Sequence, residues 1–376
     1  MSQISAQYDA VMLVSYGGPR QMEDVLPFMR NATSGRGVPD ERLKQVSTHY
    51  GRFHGISPIN ARNLEIRRAL ELELSRRGED IEVVIGNRNW HPFIHDTLCD
   101  LAMRGLTRVL CIFTSAYVCY SGCRQYREDL AAAKAQLQAQ DLSLELDKVR
   151  AYYTTEGFVG AYTKLLLEAV VNREQNSGHV PYVTFVTHSI PRAMQECSGP
   201  ADNCRPDYGR QHQQVCSEVA ARVSKELGRE LNWDLSYCSR SGPPQMPWLE
   251  PDINDRLAQL KAEGVTDVVC VPIGFICDHM EVVYDLDTEA KETAAQLGLN
   301  YLRVPTVGTD PGFIGALADL VTERAQEKAG GEVAYAQDAL EPRWPAWAPP
   351  RDSRVSKQGA DLPVEFETRK ESTTKS

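Results

Sequence analysis

Two groups of residues carry side chains able to move protons or hold a divalent cation. His188 stands directly behind the apolar run 183–187 and ahead of Ser189-Ile190-Pro191. An imidazole titrates near neutrality, so it suits proton transfer or metal contact. A loop histidine held only by hydrogen bonds is the plain alternative. The second group is Asp278-His279-Met280-Glu281, continuing to Asp285, Asp287 and Glu289. Glu281, Asp285 and Glu289 are spaced i, i+4, i+8. On an α-helix that spacing puts three carboxylates on one face, where like charges repel. A solvated face tolerates this, and so does a row neutralised by cations or protons. Spacing alone leaves both open.

The elements that must position these groups alternate along the chain. A strand is expected at 11–15, a turn at Tyr16-Gly17-Gly18-Pro19 and a helix at 21–29. After a break at 35–39, Asp40 reads as the N-cap of another helix. A long amphipathic helix follows at 63–77, then a strand at 81–86, a helix at 97–104, a strand at 109–114 and a helix at 124–138. Such alternation predicts βα units on mostly parallel sheets. The chain also repeats itself. Residues 105–111 (GLTRVLC) match 264–270 (GVTDVVC), and 11–15 (VMLVS) pair loosely with 183–187 (VTFVT) in the same order. The expected fold is therefore α/β, with two similar domains at 1–165 and 166–329. Ligands of open sheets bind beyond the carboxyl ends of the strands. The loops at Tyr16, Tyr117, His188 and Asp278 belong there. Residues 330–376, with Pro342, Pro345, Pro349 and Pro350, read as a disordered tail. Trp344 and Trp347 within it either pack on the body or dock a partner.

Composition narrows the function further. Acidic residues outnumber basic ones, 51 to 41, and the net charge of −10 speaks against a nucleic-acid partner. No apolar run reaches the roughly 18 residues of a membrane span, and residues 1–10 lack the pattern of a signal peptide. A cytoplasmic protein is expected, in which ten cysteines do not form a disulfide framework. Cys111 and Cys270 lie inside apolar runs and read as core.

Several short motifs in fixed order resemble one family. Ser15-Tyr16-Gly17-Gly18-Pro19, Gly55-Ile56-Ser57-Pro58, 87–92 (NRNWHP), 187–191 (THSIP), 243–249 (PPQMPWL) and 274–281 (GFICDHME) are together similar to ferrochelatase, over roughly residues 8–325. The resemblance implies two Rossmann-like, chelatase-type domains with a porphyrin cleft between them, and insertion of ferrous iron, the metal substrate, into that porphyrin. It assigns His188 to pyrrole-proton acceptance or metal contact. It places Glu281 facing His188 across the macrocycle, with Asp285 and Glu289 as an acidic path behind. Tyr16 matches a tyrosine on the opposite face in the branch acting on coproporphyrin III. The stretches 31–36 and 57–60 look like those of actinobacterial enzymes. Candidate iron contacts are thus His188, Glu281, Tyr16, Asp285 and Glu289. Candidate porphyrin contacts are Ser57, Tyr126, Arg52, Arg88 and Trp90, with Arg36 and His49 as other basic candidates on the early helices. Arg88 and Trp90 also read as plain cleft scaffolding. Alternatives are a protoporphyrin IX ferrochelatase, a chelatase for another metal such as cobalt, and a non-catalytic haem-binding protein on the same fold. A haem-pathway enzyme would be a transient partner.

Some relatives carry a [2Fe–2S] cluster. A C-terminal ligand set is impossible here, because no cysteine follows Cys277. An internal set would use Cys197, Cys204 and Cys216, with Cys123 as fourth ligand and Cys119 or Cys238 as substitutes. Unmodified thiols are the other reading.

Overall fold

The computed structural model describes residues 4–35, 37–196, 208–241 and 245–331. Two parallel four-stranded sheets organise it. The first contains β1 (Ala10–Ser15), β2 (Glu82–Asn87), β3 (Arg108–Phe113) and β4 (Glu145–Lys148) in the order β2-β1-β3-β4. The second contains β5 (Tyr182–His188), β6 (Trp233–Cys238), β7 (Asp267–Val271) and β8 (Asn300–Arg303) in the order β6-β5-β7-β8. The orders are equivalent. The repeats seen in the sequence are β1 with β5 and β3 with β7, as expected of two halves of one fold.

Burial on both faces explains the composition of the strands. Every residue of β1 is buried, the signature of a parallel strand covered on two sides. Val11 and Leu13 face a central cluster shared by both sheets, while Met12 and Val14 face an outer one. The central cluster takes its helical residues from α3 (Ile59–Arg76), α6 (Glu156–Ser177), α8 (Tyr208–Leu227) and α12 (Pro311–Lys328). The outer face of the first sheet is covered by α4 (Ile94–Met103) and α5 (Gln125–Gln138). Leu257 and Leu260 of α9 (Ile253–Ala262) lie in the corresponding cluster of the second. Cys111 and Cys270 are fully buried.

Several expectations shift. Pro39 occupies the N-cap of the helix Asp40–Gly51, and Asp40 instead pairs with Arg30 at 2.6 Å. The boundary expected between 165 and 166 falls inside α6, which is continuous. The last of the described helices, α12, returns to the first half: Arg150 bonds Glu323 at 2.9 Å, and Arg324 bonds Asp147 at 2.8 Å. The stretch carrying Glu281, Asp285 and Glu289 is not one α-helix. It is a short helix, Met280–Tyr284, a π-turn at Asp285–Glu289, and a second helix, Ala290–Gln296. A second π-turn, Tyr120–Arg124, follows β3 in the first half. Residues 332–376, with Trp344 and Trp347, lie outside the described residues, as do Arg36, Cys197 and Cys204. Among the described residues no helix is long and apolar enough to cross a membrane.

Gly157 marks where α6 and α12 meet. A Cβ there would stand 2.2 Å from the carbonyl oxygen of Gly312 and 2.5 Å from Cβ of Ala316. Backbone cannot yield as a flexible side chain would. Gly157→Ala should therefore lower stability by about 1–3 kcal/mol in urea denaturation; an unchanged midpoint would show that the two helices separate without cost.

Candidate active site

The geometry begins with two neighbouring strands. β5 and β7 pair in parallel, with Phe185 opposite Val271. β7 stops there, while β5 runs on to His188. The loop after β7 folds over this overhang. The amide of Gly274 donates to the carbonyl of Val186 at 3.2 Å. A Cβ on Gly274 would lie 2.0 Å from Oγ1 of Thr187, so only glycine allows this approach. Tyr117 and Tyr162 fix the loop from the first half's side. The Tyr117 hydroxyl donates to Ile273 at 3.1 Å, and the Tyr162 hydroxyl lies 2.7 Å from the carbonyl of Pro272.

The folded loop delivers Glu281 to His188. Nε2 of His188 is 3.3 Å from Oε1 of Glu281, with side chains 32% and 46% exposed. His188 is oriented by a bond from Nδ1 to the carbonyl of Ser189. Its own carbonyl accepts from Tyr208 at 3.0 Å. Behind it, Oγ1 of Thr187 lies 2.8 Å from the Tyr208 hydroxyl and 2.9 Å from Nε2 of His212. His279 caps the short helix that starts at Met280: its Nδ1 accepts from the amide of Glu281 at 3.2 Å. Ser239, whose φ of 63° is left-handed, donates to Asp285.

Burial alone would lower the pKa of His188. The charge of Glu281, its hydrogen bond, the Ser189 carbonyl and Asp285 outweigh that and raise it to about 9. Burial works against the Glu281 carboxylate too, but His188 holds it well below the usual range. The coupling thus favours imidazolium and carboxylate over the neutral base a lone histidine suggests. Burial pushes Asp285 up to about 7, helped by Glu281 and Glu289 and opposed by Ser239 and His188. The acidic row therefore survives as mutually coupled charges, although a π-turn carries it.

The first half faces this group with aromatic residues. Tyr16 follows β1 and meets Phe28 edge-on at 6.0 Å. The Arg88 guanidinium lies 5.8 Å from the ring centre of Tyr16 and 4.7 Å from that of Tyr126. Arg88 is 6% exposed and paired with Asp129. Tyr50 connects the two sides. Burial, then Tyr16, Glu281 and Asp285, raise its pKa, so its hydroxyl lies within electrostatic reach of both. Arg52 pairs with Glu292 at 3.0 Å, and His49 stacks on Tyr284 at 4.2 Å. Ser57 is buried beneath the Gly18 turn, Tyr126 is buried in the outer cluster, and Trp90 packs half-buried against the small cluster of Val25, Phe28, Met29 and Leu43.

Sequence reasoning gave no role to Tyr50, Ser239, Tyr208 or His212. The i, i+4 spacing of Tyr208 and His212 was a usable signal. Nothing local marks Tyr50 or Ser239, whose neighbours come from distant elements.

The cysteine set is not assembled among the described residues. Cys123 lies in the outer cluster of the first sheet, and Cys216 is fully buried in the central one. Burial pushes the thiols of Cys119, Cys216 and Cys238 up. Among the described residues no group of three or more His, Cys, Asp and Glu side chains is placed to share a metal.

Parallel sheets with matched strand order, and an imidazole–carboxylate pair at strand ends, define a two-sheet α/β protein with an ionisable pair beyond its second sheet. The profile of the ferrochelatase family matches residues 8–325, and the chain belongs to that family. It is 46% identical over 332 residues to the coproporphyrin III ferrochelatase of Streptomyces coelicolor, covering 88% of each chain. It is 45% identical to that of Leifsonia xyli, covering 84% of each, and 41% identical to that of Nocardia farcinica, covering 87% of this chain and 92% of the relative. Among solved structures, the cobalt complex of the sirohydrochlorin chelatase SirB from Bacillus subtilis aligns with a TM-score of 0.46 at 13% identity, over 85% of this chain and 97% of that one.

If Glu281 is what raises His188, removing its charge must lower the histidine. Glu281→Gln should bring the His188 pKa down by more than about one unit, read from imidazole NMR shifts against pH. An unmoved titration would mean that the two groups are not coupled.

Proposed function

We propose that this chain inserts ferrous iron into coproporphyrin III, giving Fe-coproporphyrin III for haem biosynthesis. The observation that carries the reading is the 3.3 Å pair of His188 and Glu281 at the strand-end cleft, with Asp285 behind it. The coproporphyrin III ferrochelatases to which the chain is 41–46% identical support the substrate.

Metal insertion exchanges two inner N–H protons for one dication, so the site must release protons where it admits charge. His188 cannot accept a proton while Glu281 holds it as imidazolium. Fe²⁺ approaching Glu281 offsets the carboxylate's charge. The imidazolium then loses its support, sheds its proton and becomes a base for the pyrrole nitrogens. Asp285, poised near neutrality, takes up and releases protons on the way to Glu289. Tyr16 stands on the other side of the macrocycle and offers its hydroxyl to the metal from there. Proton and metal compete for one pair, so insertion at limiting iron should quicken as pH rises toward about 9.

Substrate contacts follow from the first half. The surface pair of Arg52 with Glu292 is weak enough to exchange for a porphyrin propionate. Arg88, already neutralised by Asp129, acts by holding the rings of Tyr16 and Tyr126. Ser57 and Trp90 complete the contact set in this reading. Cys99, Cys111, Cys119, Cys216, Cys238, Cys270 and Cys277 are free thiols, the state a reducing cytoplasm maintains. An iron porphyrin is poorly soluble and reactive, so direct transfer to the next haem-pathway enzyme is part of the reading.

The described cysteines do not fit a [2Fe–2S] centre. Cys123 and Cys216 sit in separate apolar clusters, and two of the four ligands, Cys197 and Cys204, lie outside the described residues. Aerobically purified protein should be colourless. A brown preparation with two irons per chain would restore the cluster.

An anaerobic assay with Fe²⁺ and either coproporphyrin III or protoporphyrin IX tests the function. We expect faster insertion into coproporphyrin III. Preference for protoporphyrin IX would overturn the substrate, and metallation of neither would leave a porphyrin-binding protein. His188→Ala should bind porphyrin yet lose about 100-fold or more in insertion. Normal turnover by that variant would remove His188 from the chemistry.

A further inference from the structure

Arg303 ends β8, the edge strand beside β7, and its guanidinium spans the base of the acidic loop. Nη1 and Nη2 donate to Asp278 at 3.1 and 3.4 Å, while Nε and Nη2 donate to Asp287 at 2.6 and 2.7 Å. Thr306 donates to the same Asp278 at 3.1 Å. The Arg303 side chain is 14% exposed and that of Asp278 is 19% exposed, so this is not a loose surface pair. Asp278 immediately precedes His279, the cap of the short helix, and Asp287 is the middle residue of the π-turn. Glu281 and Asp285 lie between the two anchors. One planar cation therefore closes a ring of chain around the two carboxylates nearest His188.

The Asp287 anchor sits in the middle of the π-turn. The turn's bonding, seen in the amide of Ala290 donating to the carbonyl of Asp285, is rarer than α-helical bonding and occurs mostly as single turns within α-helices. Without an external hold, the segment could return to α-helical pairing by shedding one residue. A one-residue slip rotates the side chains beyond it by roughly 100°. We propose that Arg303 is a positioning residue: its fork holds the π-turn in register, and so keeps the Asp285 carboxylate on Ser239 and within reach of Glu281. Lysine cannot substitute, because a single ammonium lacks the planar fork that serves both carboxylates. The consequence for turnover rests on the iron-insertion reading above, but the hold on the turn does not.

Arg303→Lys tests it, with Asp287→Asn as a second route to the same loss. Arg324→Lys is the control, an arginine likewise set between two carboxylates, Asp147 and Glu327, but in α12. In Arg303→Lys, deuterium exchange at the amides of residues 285–290 should quicken about ten-fold or more, with other segments unchanged. Iron insertion should fall about ten-fold in kcat, with porphyrin KM within about two-fold of the parent. Asp287→Asn should do the same, and the double variant should be no worse than either. The control should change neither. Unchanged exchange at 285–290 would overturn the proposal, as would parental kcat despite faster exchange, or equal losses in Arg324→Lys. If the parent inserts no iron, the functional reading fails, and exchange alone decides whether Arg303 holds the turn.

Discussion

Neighbouring parallel strands send their following loops to the same edge of a sheet, and the candidate site depends on that constraint at β5 and β7. Their register leaves β5 three residues longer at its carboxyl end, from Phe185 to His188. At about 3.3 Å per residue this is an overhang of roughly 10 Å. The loop after β7 has to fold across it. Gly274 permits contact with Thr187, Tyr117 and Tyr162 pin the carbonyls of that loop, and His279 then caps the helix that presents Glu281. Each step narrows where the carboxylate can stand, until it meets the imidazole.

The electrostatics follow from that meeting. Either group alone would be discouraged from ionising by its surroundings, and together each supports the other's charge. Partial exposure of both side chains keeps the pair accessible to a cation. A pair sealed in the core would be locked as a structural ion pair, since breaking it would leave an uncompensated charge. The more deeply buried guanidinium groups, Arg88 beside Asp129 and Arg303 beside Asp278, hold rings and backbone instead.

The two halves share a topology and divide the work. At the end of β1 the first half supplies Tyr16, ringed by Phe28 and Arg88. At the equivalent end of β5 the second supplies charge. Both carry a π-turn after the third strand of their sheet, but only the one in the second half is lined with carboxylates. The matching strand ends thus differ in chemistry, aromatic after β1 and ionic after β5.

Much of this was legible beforehand, because apolar runs and alternation reflect burial within a few residues. The strands β1, β2, β3 and β5, the internal repeat, and His188 and Glu281 as strand-end groups all follow from local pattern. Asp40 misled as a cap because its partner, Arg30, comes from the preceding helix. The i, i+4, i+8 row pointed to coupled carboxylates but to the wrong helix, because the segment forms a π-turn that spacing alone does not signal. The protonation of His188 was beyond reach because it depends on a carboxylate 93 residues away in the chain and 3.3 Å away in space. Sequence by itself determined which residue types stand at the strand ends, since burial patterns are local. Only the tertiary structure decided which of them meet and with what charge, because distance and dielectric are properties of the assembled fold.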